Sequence, residues 1–147
     1  MRLSLLATAL SGALLLAGCS QPKELFVDGG WVNLPAVKGN PGAAYFTVHG
    51  GEKDDQLLRV SSEITLKTEI HESMAHDGAM TMAPLSSVAI PAGGTVSFAP
   101  GGKHVMLFDM RPVKPGSTIR LDFTFASGDQ IYIDAPVLAP GERPAKD

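Results

Sequence analysis

Ile119-Arg120-Leu121-Asp122-Phe123-Thr124-Phe125 decides the fold class. Its odd-numbered residues are apolar and its even-numbered ones polar. That two-residue period belongs to a strand with one face in a core and the other in water. The same short alternating or apolar runs recur on both sides, and no segment sustains a helical period over three turns. Strands are predicted at Leu25 to Asn33, Ala43 to His49, Gln56 to Ser61, Thr65 to His71, Ser87 to Ile90, Thr95 to Ala99, His104 to Asp109, Ser117 to Phe125 and Gln130 to Val137. Turn chemistry separates them, as in Lys38-Gly39-Asn40-Pro41-Gly42, Pro91-Ala92-Gly93-Gly94, Pro100-Gly101-Gly102 and Ser127-Gly128-Asp129. Many short strands at this spacing predict an all-β Greek-key sandwich or barrel, with no internal repeat.

The amino-terminal segment stands outside that pattern. Arg2 precedes an apolar run, Leu3 to Leu16, closed by Leu16-Ala17-Gly18-Cys19. This reads as an export signal, too short to be a comfortable membrane span. Its ending resembles the lipobox of bacterial lipoproteins, which implies lipidation of Cys19 as the first mature residue. The resulting division is a signal peptide over 1–18, a lipidated cysteine and short tether over 19–24, a β domain over 25–138 and a loose tail over 139–147. Ser20 after the cysteine leans, by the same resemblance, towards the outer rather than the inner membrane. The setting is periplasmic, with the membrane reached by the lipid anchor only.

Removing 18 of 147 residues leaves 129, enough for one domain with a core. Of the 12 Lys and Arg, only Arg2 is lost, so 11 basic residues face 15 acidic ones and the mature net charge is −4. With no basic run, nucleic-acid binding has no electrostatic footprint. Cys19 is the only cysteine and lipidation consumes it, so no disulfide or thiol chemistry is expected in the domain.

Every methionine except the initiator, namely Met74, Met80, Met82, Met106 and Met110, falls between residues 71 and 110, together with His71, His76 and His104. Thioether and imidazole are the ligands that soft Cu(I) prefers, whereas a blue-copper site needs a Cys ligand. His104 and Met106 lie two apart on a predicted strand and share a face. Gly101-Gly102 before them allows a tight turn that would set His104 at the strand's mouth. His71 ends the run Ile64, Leu66, Thr68, Ile70 out of phase with its inward face, so it should point to the surface. The polar, Gly-containing excursion from Glu72 to Thr81 would fold back to bring the Met82 sulfur over His71.

The four positions read His71, ten residues, Met82, twenty-one residues, His104, one residue, Met106. This spacing resembles the H-x10-M-x21-H-x-M motif of the periplasmic copper chaperone family PCu(A)C. Trp31-Val32-Asn33, Ala43 to Val48, Asp54-Asp55-Gln56-Leu57, Ile90 to Val96 and Pro100 to Leu107 look like that family too. The resemblance covers roughly residues 30 to 137, about the size of one domain. It implies a cupredoxin-like β-sandwich that binds one Cu(I) through His71, Met82, His104 and Met106. It also implies delivery towards the copper centre of cytochrome c oxidase, with an oxidase subunit or another periplasmic copper carrier as acceptor. Phe108, where many relatives carry Met, departs from the family pattern, and residues 139–147 do not resemble the His/Met-rich C-terminal extension of some members.

The chemistry suits a carrier. Thioethers do not titrate, and the imidazoles must be neutral to bind, so binding should weaken below the ordinary imidazole pKa of about 6.5. Met74, His76 and Met80, in the predicted loop, are candidates for a second, looser copper site or for capturing and relaying the ion. Met110 reads as a core residue, and His49 carries no functional role. Trp31 and Met80 are candidates for a docking surface. A buffer without a dedicated acceptor is the alternative within this chemistry; an adhesion or assembly sandwich is the alternative outside it. No G-x-S-x-G, H-E-x-x-H or paired-carboxylate arrangement points to an enzyme, and a monomer is expected.

Overall fold

The computed structural model describes residues 23–145. The export signal, Cys19 and most of the tether expected from the sequence lie outside the described residues, as do residues 146 and 147. Every regular element described is a strand: β1 (Phe26–Asn33), β2 (Gly42–His49), β3 (Asp55–Ser61), β4 (Lys67–His76), β5 (Ala79–Leu85), β6 (Val88–Ile90), β7 (Thr95–Phe98), β8 (Lys103–Phe108), β9 (Thr118–Phe125) and β10 (Gln130–Leu138). Eight of the nine predicted strands agree to within one residue at each end, which leaves the region of β4 and β5 as the departure.

The strands follow the order β5-β4-β8-β7-β2-β1-β10-β9-β3-β6 across one rolled sheet. A short parallel pairing, Val32 with Val137 and Asn33 with Leu138, joins its two layers. The first layer holds β5, β4, β8, β7, β2 and β1; the second holds β10, β9, β3 and β6. The chain crosses between layers after β2, β3, β5, β6 and β8, so many sheet neighbours are distant in sequence, as a Greek-key sandwich requires.

The alternation in β9 buries Ile119, Leu121, Phe123 and Phe125 against Phe46, Val48, Val105 and Leu107 of the first layer's inner face. Phe46 stacks on Phe98 at 4.2 Å and meets the edge of Phe123 at 4.7 Å, clamping the layers together. Such pairs add about 0.5–1.5 kcal/mol each beyond their burial. In β1 a bulge between Asp28 and Trp31 resets the phase, so that Val27 and Val32 both point inward. Trp31 is left on the outer face, where its ring lies 5.0 Å from that of Tyr45.

β7 and β8 both pair with β2, at Phe46–His49 and at Gly42–Ala44 respectively, and form one line interrupted by Ala99 to Gly102. The Gly102 N–H donates to the Ala99 carbonyl at 3.0 Å, with Pro100 in second place and Gly101 at φ 85° in third. These are the marks of a type II turn, whose third position demands positive φ. The turn delivers β8 between β2 and β4.

The predicted polar loop from Glu72 to Thr81 is instead a hairpin. β4 continues to His76, and β5 returns along it in register from Ile70 opposite Leu85 to His76 opposite Ala79. Only Asp77 and Gly78 form the turn, with φ of 48° and 79°. Both central residues have positive φ, as in a type I′ turn, which Asp-Gly favours and whose twist matches the strands. No residue between His71 and Leu85 is buried, so the hairpin carries none of the apolar alternation that betrays the other strands.

The segment predicted as a loose tail begins with an anchored turn. Glu142 N–H donates to the Ala139 carbonyl at 3.1 Å, and the Asn33 amide donates to the carbonyls of Ala139 and Glu142 at 2.8 and 2.9 Å.

Candidate metal centre

Register places the candidate ligands before any side-chain distance is considered. Directly opposed residues on adjacent strands share a face. His71 stands opposite His104, Glu69 opposite Met106, and Ser73 opposite Met82. His71, Met82, His104 and Met106 therefore occupy one face of β5, β4 and β8, turned away from the core. The residues between them, Ile70, Val105 and Leu107, point inward and are buried. His104 and Met106 share one face of β8, and the antiparallel hairpin puts Met82 diagonally across from His71.

The ring centres of His71 and His104 lie 6.0 Å apart. A ring nitrogen sits about 1.2 Å from its ring centre and binds a metal at about 2.0–2.1 Å, so two imidazoles on one ion have centres up to about 6.5 Å apart. The observed spacing is within reach of one ion.

Among the described residues, each ring has one nitrogen without a hydrogen-bond partner. His104 Nδ1 lies 2.9 Å from the Gly102 carbonyl, which only accepts, so in the neutral ring Nδ1 carries the proton and Nε2 has the lone pair. The same carbonyl accepts the Ser73 N–H at 3.0 Å, tying the turn to β4. His71 Nε2 lies 2.8 Å from Glu69 Oε2, and its buried Nδ1 has no hydrogen-bond partner among the described residues. A buried ring nitrogen without a donor costs free energy unless something fills its lone pair. Hydrogen bonds from Lys67, then His71, hold the Glu69 carboxyl below the ordinary carboxylate range. Lys67 Nζ lies 2.6 Å from the other Glu69 oxygen. Glu69 is the site residue the sequence reading missed; its signal was a carboxylate two residues before His71 on the same strand face.

Exposure is graded across the group. His104, although second in β8, is only 5% exposed, whereas Met82 is 61% exposed. Imidazole nitrogen thus lies towards the interior and a thioether towards solvent. Among the described residues no three His, Cys, Asp or Glu side chains gather to hold a metal.

The structure does not assemble Met74, His76 and Met80 into a second site. Met80, opposite Ala75, shares the face of Met82 and is 63% exposed. Met74 and His76 project from the reverse face, and His76 Nδ1 sits 3.0 Å from Asp77, both exposed. Met110 packs on the core, and positive φ at Asp109 ends the strand before it. His49 stacks on Phe26 at 4.2 Å and pairs with Asp28, a structural arrangement. Ala44 of β2 pairs with Val105, so Tyr45 stands next to the His104 row, with Trp31 beyond it. Burial raises the Tyr45 pKa against the opposing pull of the Arg143 guanidinium. Trp31 Nε1 donates to Asn33 Oδ1 at 3.2 Å, which fixes the indole on this face.

Comparison with known proteins gives these observations a context. A family model described as "Putative lipoprotein LpqE-like" matches residues 25–137. The putative lipoprotein Lxx21020 of Leifsonia xyli is 32% identical over 83 residues, 55% of this chain and 50% of that protein. The chain spans about half the length of the curated relatives it matches. Among solved structures, the copper-bound PCuAC domain from PmoF2 superposes with a TM-score of 0.65 at 22% identity, over 82% of this chain and 99% of that one. The Cu(I) form of DR1885 from Deinococcus radiodurans gives 0.55 at 25% identity, over 76% and 78% of the two chains. The fold is that of a PCuAC domain, a cupredoxin-like β-sandwich, as the sequence resemblance implied.

Proposed function

We propose that this chain, which belongs to the LpqE-like family, is a Cu(I)-binding metallochaperone of the bacterial envelope. The observation that carries the reading is the outer-face cluster of His71, His104, Met106 and Met82 on three adjacent strands, with one lone pair of each imidazole left without a protein donor. Two imidazoles and two thioethers make a soft, neutral ligand set that favours Cu(I) over harder ions. The copper-bound and Cu(I) states of the structurally similar PCuAC domain and DR1885 support the same metal.

In this reading one Cu(I) is cargo rather than a resident cofactor. His104 and His71 would hold it on the protein side, Met106 beside them, and Met82 would close the site from solvent. An acceptor's ligands would enter at exposed Met82 and displace its thioether first, since that exchange disturbs nothing in the core. The acceptor would be an oxidase subunit on the way to the cytochrome c oxidase copper centre, or another copper carrier. Lipidation at Cys19 would hold the monomeric domain at the membrane, with the outer membrane favoured over the inner. The chain would act as a binding and delivery module rather than an enzyme.

An anaerobic Cu(I) competition titration against a coloured chelator tests the site. One tight equivalent is expected, weakened in both Met82→Ala and Met106→Ala; no competition, or binding indifferent to both methionines, would overturn the reading. A transfer assay then tests delivery. The loaded protein should metallate an apo oxidase domain faster than free copper at equal buffered activity; a protein that binds copper but gives no such advantage is a buffer.

A further inference from the structure

We infer that Glu69 is a positioning residue that fixes His71 as the Nε2–H tautomer, so that the two site histidines offer opposite ring nitrogens, Nδ1 of His71 and Nε2 of His104, to one copper. The inference rests on the proposed site and adds to it the choice of ligand atom and the residue that makes the choice.

Glu69 Oε1 accepts from Lys67 Nζ at 2.6 Å, and a carboxylate paired with an ammonium offers its other oxygen, Oε2, as an acceptor. The 2.8 Å approach of Oε2 to His71 Nε2 is then a hydrogen bond only if Nε2 carries the proton. In a neutral ring this leaves Nδ1 as the sole lone pair, and Nδ1 is the buried atom with no partner among the described residues. His104 is fixed the other way, because its Nδ1 faces the Gly102 carbonyl. A backbone acceptor sets one histidine and a side-chain acceptor sets the other.

Glu69 is well placed for this role and poorly placed to be a ligand itself. Its position on β4 is opposite Met106 and two residues before His71, on the shared face. Both of its oxygens are occupied, one by Lys67 and one by His71. Outer-shell carboxylates of this kind fix ring orientation and raise ligand basicity. Glu72, the other acidic neighbour of His71, pairs with Lys103 at 2.8 Å and is not engaged with either ring.

Long-range proton–nitrogen NMR on the ¹⁵N-labelled, metal-free full chain, at a pH of about 8.5 that lies well above the ordinary imidazole pKa of about 6.5, tests the inference without copper. A protonated Nε2 and bare Nδ1 are expected for His71, and the reverse for His104; a protonated Nδ1 on His71 would overturn it. In Glu69→Ala, His71 should relax to a mixture of tautomers while His104 is unchanged, and Cu(I) affinity should fall about 10- to 100-fold. Glu69→Gln, which keeps an acceptor oxygen, should recover part of both. A His71 tautomer indifferent to Glu69→Ala refutes the positioning role even if copper binds tightly. Wild-type protein that takes up no Cu(I) refutes the proposed function instead, and the metal-free spectra still decide the tautomers.

Discussion

The β9–β10 and β4–β5 hairpins are both antiparallel pairs closed by short turns, yet they serve opposite ends. In β9–β10 one face is packed solid, with Ile119, Leu121, Phe123 and Phe125 of β9 and Ala135 and Val137 of β10 all buried. Its turn is fastened as well, because Asp55 accepts the Ser127 N–H at 3.0 Å. In β4–β5 nothing beyond Ile70 is buried, and Met74, Met80 and Met82 are exposed. Hydrogen-bond pairing makes a hairpin, but burial of one face makes it rigid. Buried apolar residues dominate the first hairpin, whereas exposed methionines gather on the second.

The comparison can be broken most forcefully from the buried side. Phe123→Ala should cost about 3–5 kcal/mol of stability by urea denaturation, since it empties the space beneath Phe46. A loss below about 1 kcal/mol would mean that the core does not depend on this hairpin.

Met82→Ala probes the other hairpin. Its thioether is largely in water, so stability should change by less than about 0.5 kcal/mol, while Cu(I) affinity should drop by more than about tenfold. Equal losses in stability and affinity would erase the proposed division between the two hairpins.

Gly78→Ala sharpens the same division. A side chain at φ 79° meets open space but adopts a disfavoured conformation, costing about 1 kcal/mol locally. Because the tip of β4–β5 is not tied to the core, amide exchange should quicken in Met74 to Met82 and stay unchanged in β9. Uniform acceleration across both hairpins would contradict the independence of the tip.

The smallest effect concerns the fastening of the rigid hairpin. Burial pushes the Asp55 carboxyl up, but hydrogen bonds from Ser127, Gln56 and Ala126 together outweigh it and hold the pKa below its ordinary value. A carboxylate depressed in the folded state stabilises it fully above its unfolded pKa of about 4 and loses that contribution as pH falls through the lower folded value. Asp55→Asn should therefore lower stability by less than about 1 kcal/mol near pH 7, the group being only partly buried, and the deficit should shrink as pH falls through the lowered folded pKa. A deficit that persists at low pH would assign the effect to shape rather than charge.

The same contrast explains which parts of the fold were legible. β9 announced itself because Arg120, Asp122 and Thr124 alternate with buried residues, and the phase of His71 after Ile70 already gave it the outer face. β5 was hidden because Ala79-Met80-Thr81-Met82 faces water on both sides, where no selection for alternation acts. Asp77-Gly78 was the remaining signal, and its turn geometry reveals β5 only once the strand on either side is suspected.

Strand content, the inward set in β9 and the fixed spacing of His71, Met82, His104 and Met106 as candidate ligands were all legible in local sequence pattern. Strand pairing alone put Met74 and His76 on the reverse side of Met80 and Met82. The tertiary structure also decided that Glu69 faces His71, and that β8 inserts between β2 and β4 so that His71 and His104 stand opposite each other. The physical reason is that period and composition are local, one strand at a time, whereas a site on three strands is set by register, and register follows from which faces the whole sandwich buries.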